Sequence, residues 1–159
     1  MKELLVFRHA KAVDAGSAPN DRDRDLKQKG ERSASAMGVL LSERKLVPDL
    51  ILASDALRAR RTAELCEAEL PSRVDVLAIP ALYDCEPADY VELIDRQPDV
   101  VARLMVVGHN PTLEELIERL TGDRLRLKAG ALARIRLGVT SWRDVSNSPN
   151  ASVEDLFEV

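Results

Sequence analysis

Cysteine is almost missing from this chain. Cys66 and Cys85 are the only two, far apart and forming no C-x-x-C pair. That excludes a disulfide framework and a cysteine zinc site, and it fits a reducing cytoplasm. Histidine is equally scarce, His9 and His109 alone, so a histidine-rich metal site is excluded. No carboxylate motif for a metal is visible either, and no cofactor is expected. Aromatic residues make up 3%, too few for base-stacking platforms. The formal net charge of −4 disfavours general nucleic-acid binding. The longest apolar runs reach about half a bilayer crossing, so no membrane span is expected. The first residues lack the cleavage pattern of a signal peptide, which again leads to a cytoplasmic expectation. H-E-x-x-H, the G-x-x-x-x-G-K phosphate loop and the G-x-S-x-G elbow are all absent. What remains is 159 residues, a length that suits one domain, 1–159, able to bury most of its apolar surface.

Each histidine ends a short apolar run. His9 closes Leu4-Leu5-Val6-Phe7-Arg8-His9, and His109 closes Leu104-Met105-Val106-Val107-Gly108-His109. Runs of this length, followed by turn residues and then a helical pattern, read as buried parallel strands. Strands are expected over 3–8, 50–53, 74–79, 104–107 and 131–137, with a last edge strand over 152–159. Helices are expected over 26–43, 56–69 and 88–96 and after Pro111, the last of these stopped by Gly122. Ser54-Asp55 and Asn110 are expected to cap the helices that follow them, and Pro111 suits a first turn. Asp14–Asp25 and Pro80–Pro87 read as loops. Alternating strands and helices imply an α/β fold, a three-layer α/β/α sandwich with a mostly parallel central sheet. Open sheets of this kind place their chemistry at the C-terminal ends of the strands, so the two histidines are expected to meet at one rim.

The residues around them have matching chemistry. Neutral imidazole is a nucleophile and can accept a phosphoryl group, and the adjacent Arg8 offers forked donors to phosphate oxygens. A plain reading of Arg8-His9 is a histidine at a strand end beside an exposed arginine. Arg58 falls in the first turn of a helix, where the helix dipole already favours anions. Arg60 and Arg61 read as solvated charges, with Arg61, one turn from Arg58, the less plain of the two. His109 follows Gly108, which permits close backbone approach. Alone it would read as a buried, satisfied histidine; beside Arg8, His9 and Arg58 it reads as a donor to a bound phosphate. Arg24 can reach an anion, Asp84 or Glu86 can supply a general acid, and Lys11 can steer a substrate. Cys66 reads as core and Cys85 as an incidental loop thiol.

Three segments in order carry a family likeness: Arg8-His9-Ala10, Ser54-x-x-x-Arg58-Ala59-x-x-Thr62-Ala63 and Val107-Gly108-His109-Asn110-Pro111. They resemble the signature of the histidine phosphatase, or phosphoglycerate mutase-like, superfamily. The compact length and R-H-A in place of R-H-G resemble the short bacterial phosphohistidine phosphatases of the SixA type. Arg24-Asp25-Leu26-Lys27-Gln28-Lys29-Gly30 is similar to their R-P-L-T-x-x-G segment, with Asp25 for proline and Lys27 for threonine; Asp25 can cap the helix instead. The resemblance implies a phosphoglycerate mutase-like fold and a phosphatase that needs no metal. His9 would be transiently phosphorylated, and Arg8, Arg58 and His109 would bind the phosphoryl oxygens. Asp84 stands where other branches carry a glutamate acid, one methylene shorter here.

An alkoxide leaving group benefits from a proton donor, whereas imidazole leaves phosphohistidine readily. Firm phosphate clamps with a shortened acid therefore suit P–N cleavage. The expected partner is a phosphorylated protein, a histidine-containing phosphotransfer domain. The alternatives are a small phosphorylated substrate, hydrolysed by a phosphomonoesterase with Asp84 or Glu86 as acid, and a non-catalytic module that binds phosphoproteins.

Overall fold

The computed structural model describes residues 1–147 and 150–159. The elements, in order, are β1 (Glu3–Arg8), α1 (Gln28–Glu43), β2 (Leu50–Ser54), α2 (Leu57–Glu67), β3 (Val76–Ile79), α3 (Pro87–Asp95), β4 (Arg103–Gly108), α4 (Thr112–Thr121), β5 (Leu132–Arg136) and β6 (Ser152–Phe157). Short 3₁₀ turns lie at Asp21–Asp23, Pro80–Leu82 and Trp142–Asn147. The strands form one sheet in the order β3-β2-β4-β1-β5-β6. β3, β2, β4 and β1 run parallel, and β5 is antiparallel to both β1 and β6.

β1 and β4 are apolar without alternation because both of their faces are covered. Leu4 and Val6 point into one core with Tyr90, Ile94, Leu113, Leu116 and Trp142. Leu5 and Phe7 point into the other, with Met37, Leu41, Ala59, Ala63 and Cys66. Thus α1 and α2 cover one face and α3 and α4 the other, a mixed α/β sandwich of three layers. β3 lies at one sheet edge and β6 at the other, as the alternation of the first and the terminal place of the second suggested. Gly122 ends α4 with a φ of 82°, a left-handed stop that glycine adopts without strain.

Three expected caps are not formed. α2 begins after Ala56 with no side-chain cap; Ser54 Oγ accepts the Ala56 N–H at 3.2 Å, and Asp55 pairs with Arg22. α4 begins after Pro111, and the Asn110 amide instead donates to the Leu127 carbonyl at 2.8 Å. α1 begins after Lys27, while Asp25 accepts the Leu26 N–H and pairs with Arg61. Tertiary partners take Asn110, Asp25 and Asp55, while Ser54 bonds the Ala56 N–H just before α2 begins. Arg61 is likewise no solvated charge, since it ties α2 to Asp25 and Glu31.

Candidate active site

Arg8 and Gly108 are register partners at the ends of adjacent parallel strands. His9 and His109 therefore leave the sheet side by side. The His9 N–H donates to the Gly108 carbonyl at 3.1 Å, and the two rings stand 5.2 Å apart between centroids. Gly108 has to be glycine here, because a Cβ would lie 2.0 Å from the Tyr90 hydroxyl oxygen.

His9 Nδ1 is 2.8 Å from the Ala10 carbonyl. A carbonyl can only accept, so Nδ1 carries the proton and Nε2 keeps its lone pair. Burial pulls the ring's pKa down to about 3; the Ala10 hydrogen bond opposes this, and the nearby His109, Arg58 and Arg8 add to it. The ring is therefore neutral at pH 7.

Arg58 sits in the first turn of α2 and is 6% exposed. Its Nη1 donates to the Asp21 carbonyl at 2.8 Å and its Nη2 to Asp21 Oδ2 at 2.9 Å. Arg8 Nη1 donates to the Leu127 carbonyl at 3.1 Å, the same oxygen that Asn110 uses. Thr62 joins the two motifs, for its hydroxyl accepts the Ala10 N–H and donates to the Arg58 carbonyl. His109 Nε2 lies 2.8 Å from Ser54 Oγ. Burial, with Arg58 next, pulls His109 down to about 4, against the attraction of Asp21.

Each of these three residues keeps one atom unpaired. Among the described residues, Arg8 Nε, Arg58 Nε and His109 Nδ1 are buried without a hydrogen-bond partner. Leaving a buried donor unpaired costs about 1–3 kcal/mol, so native interiors rarely keep several together. They belong to the same three residues whose charge lowers the pKa of the His9 imidazole. The arrangement can take an anion with three peripheral oxygens and present it to a nucleophilic nitrogen.

The remaining candidates stand further out. Arg24 Nε donates to Asp21 Oδ1 and its Nη1 to the Val13 carbonyl, so it reaches the site through Asp21. Asp84 is exposed, and Glu86 is exposed at the start of α3; among the described residues neither carboxylate bonds to His9, Arg8, Arg58 or His109. Lys11 is also exposed. Cys66 is buried, its thiol pushed up to about 12 by burial, and Cys85 is half-buried; both are free.

Sequence reasoning missed Asp21 and Tyr83. The Tyr83 hydroxyl donates to Asp21 Oδ2 at 2.5 Å, and its ring stands edge-on to His109 at 5.8 Å. The hydrogen bond from Tyr83, with those from Arg58 and Arg24, holds the Asp21 carboxyl far below the usual carboxylate range. Nothing in Asp21-Arg22-Asp23-Arg24-Asp25 marks which aspartate does this.

A parallel-stranded rim thus gathers two neutral histidines and two arginines, with three buried nitrogens left unpaired, in an α/β sandwich. The chain belongs to the histidine phosphatase superfamily, whose branch 1 family model matches residues 4–99. A protein of Picosynechococcus with no assigned function is 36% identical over 143 residues, covering 86% of each chain. A protein from Agrobacterium tumefaciens assigned as the phosphohistidine phosphatase SixA superposes with a TM-score of 0.85 at 28% identity, covering 99% of this chain and 98% of its own. A second protein given the same assignment, from Nakamurella multipartitia, has a TM-score of 0.82 at 26% identity and covers 99% of this chain and 95% of its own. The fold is thus phosphoglycerate mutase-like, and family and fold together make the chain a phosphatase.

Proposed function

We propose that this phosphatase hydrolyses phosphohistidine on a protein, a histidine-containing phosphotransfer domain, through a phosphorylated His9. The observation that carries the reading is the set of three buried nitrogens without a hydrogen-bond partner, on Arg8, Arg58 and His109, together with an imidazole whose Nε2 lone pair is free. Arg8, Arg58 and His109 hold the three equatorial oxygens. His9 Nε2 attacks phosphorus as the P–N bond to the substrate imidazole breaks, and that ring takes a proton from solvent. Water then attacks the phosphoenzyme, the P–Nε2 bond breaks, and inorganic phosphate leaves with His9 neutral again. Charge spreading over the oxygens is met by donors already in place, which is where such sites gain most of their rate. No step needs a metal.

The low pKa of His9 keeps the nucleophile unprotonated before substrate binds. A bound phosphoryl dianion raises the pKa of His109 and strengthens it as a donor. Substrate preference follows from the acid. Asp84 is exposed and, among the described residues, forms no hydrogen bond or ion pair with the four central residues; an alkoxide would leave with little help, whereas imidazole departs readily without it. Asp84→Asn tests this: phosphate release from phosphohistidine should stay within about twofold. A steep loss, on the order of the 10²-fold typical of a removed general acid, would instead favour a phosphomonoesterase with Asp84 as donor. The direct test is phosphate release from a phosphohistidine phosphotransfer domain under EDTA. Activity in the wild type and none in His9→Ala supports the proposal; equal release by both refutes it.

A further inference from the structure

Ser54 ends β2, is fully buried, and has its hydroxyl oxygen 2.8 Å from His109 Nε2. The same oxygen accepts the Ala56 N–H at 3.2 Å. A serine hydroxyl has one proton and two lone pairs. The Ala56 contact uses a lone pair and leaves the proton available for His109. The other ring nitrogen, Nδ1, is buried and unpaired. A neutral imidazole has a single N–H, and which nitrogen carries it is decided by the partner of the other. If Nε2 held it, His109 would offer a bare lone pair to the phosphoryl oxygens, where two lone pairs would face one another.

We infer that Ser54 is a positioning residue that donates its hydroxyl proton to His109 Nε2, and so fixes His109 in the tautomer whose Nδ1–H points at the phosphoryl group. The inference rests on the reading of this rim as a phosphate cradle. Ser54 lies four residues before Arg58, so one strand-to-helix turn supplies a clamp directly and sets the protonation of a second donor. When a bound dianion draws a second proton onto His109, the remaining lone pair of Ser54 Oγ accepts the new Nε2–H. The Ser54 oxygen thus serves both protonation states from one position, its O–H rotating away when Nε2 is protonated, which a backbone carbonyl or an ammonium could not do.

The test is a long-range proton–nitrogen NMR spectrum of ¹⁵N-histidine-labelled protein at pH 7, paired with kinetics on a phosphohistidine phosphotransfer domain. With two histidines in the chain, His109→Gln assigns the signals. The wild type should show His109 Nδ1 protonated and Nε2 bare. Ser54→Ala should move the proton wholly or partly to Nε2 and lower kcat by about tenfold, the worth of one hydrogen bond to the transition state. Ser54→Thr should restore both readings. A wild-type His109 protonated on Nε2 overturns the inference, and so does a Ser54→Ala protein with unchanged tautomer. The wild-type spectrum decides even if Ser54→Ala does not fold. If the wild type releases no phosphate, the functional reading fails while the tautomer still stands or falls on the spectrum.

Discussion

The charge states of His9 and Asp21 are set by opposite means. His9 is kept neutral by burial and by neighbouring positive charge, whereas Asp21 is kept ionised by three donors. An imidazole with an ordinary pKa near 6.5 would be only about 3% neutral at pH 5, and one near 3 about 99% neutral. An NMR titration of the unliganded protein should therefore show both histidines neutral down to pH 5. A midpoint near 6.5 for His9 would contradict this account. The sign carries over to stability. The unfolded chain binds protons on His9 and His109 that the folded chain refuses, so these residues make the free protein less stable as pH falls from about 6.5. Asp21 orients Arg58 through a salt bridge whose aspartate side chain is 46% exposed, which limits its worth to stability to about 1 kcal/mol. Asp21→Ala should leave the melting temperature nearly unchanged yet weaken phosphate binding severalfold, measurable by calorimetry. Equal phosphate affinity in the variant would show that Arg58 needs no such support.

The strands and helices were readable because their apolar residues report burial on two faces or on one. β1, β2 and β4 fall within about a residue of their expected bounds, since each is enclosed by helices on both sides. Caps were not readable. Ser54, Asn110 and Asp25 have cap chemistry, but long-range partners claim them: His109, Leu127 and Arg61. That Arg8, His9, Arg58 and His109 come together was legible because each stands at a strand exit or in the first turn beyond one. Asp21 and Tyr83 were not, because both lie in irregular segments whose approach to the rim is set by tertiary packing. Gly30 shows how such a segment is held. α1 passes so close to the chain after His9 that a Cβ on Gly30 would lie 2.2 Å from the Lys11 carbonyl oxygen. Gly30→Ala should cost about 1–3 kcal/mol in urea denaturation, as overpacked contacts do. A change below 0.5 kcal/mol, about the size of an ordinary surface substitution, would mean that α1 can shift without strain.

Across the whole molecule, the sheet order sets which segments can meet. β1 is central, with β4 on one side and β5 on the other, so the exits of β1, β4 and β2 form one contiguous rim. His9, His109, Ser54 and Arg58 come from these exits although they span 100 positions in the chain. The Leu127 carbonyl that leads into β5 anchors Arg8 and Asn110 from the other side. Two irregular segments reach the rim from outside, one through Asp21 and one through Tyr83. The central claim is that His9 carries the phosphoryl group. It is tested most directly by mixing the EDTA-treated protein with a ³²P-phosphohistidine phosphotransfer domain, quenching at alkaline pH, and following label on wild type and His9→Ala. The account predicts transient label on the wild type, none on His9→Ala, and free phosphate only with the former. Phosphate released by the wild type with no label ever on His9, or label on the His9→Ala protein, would contradict it.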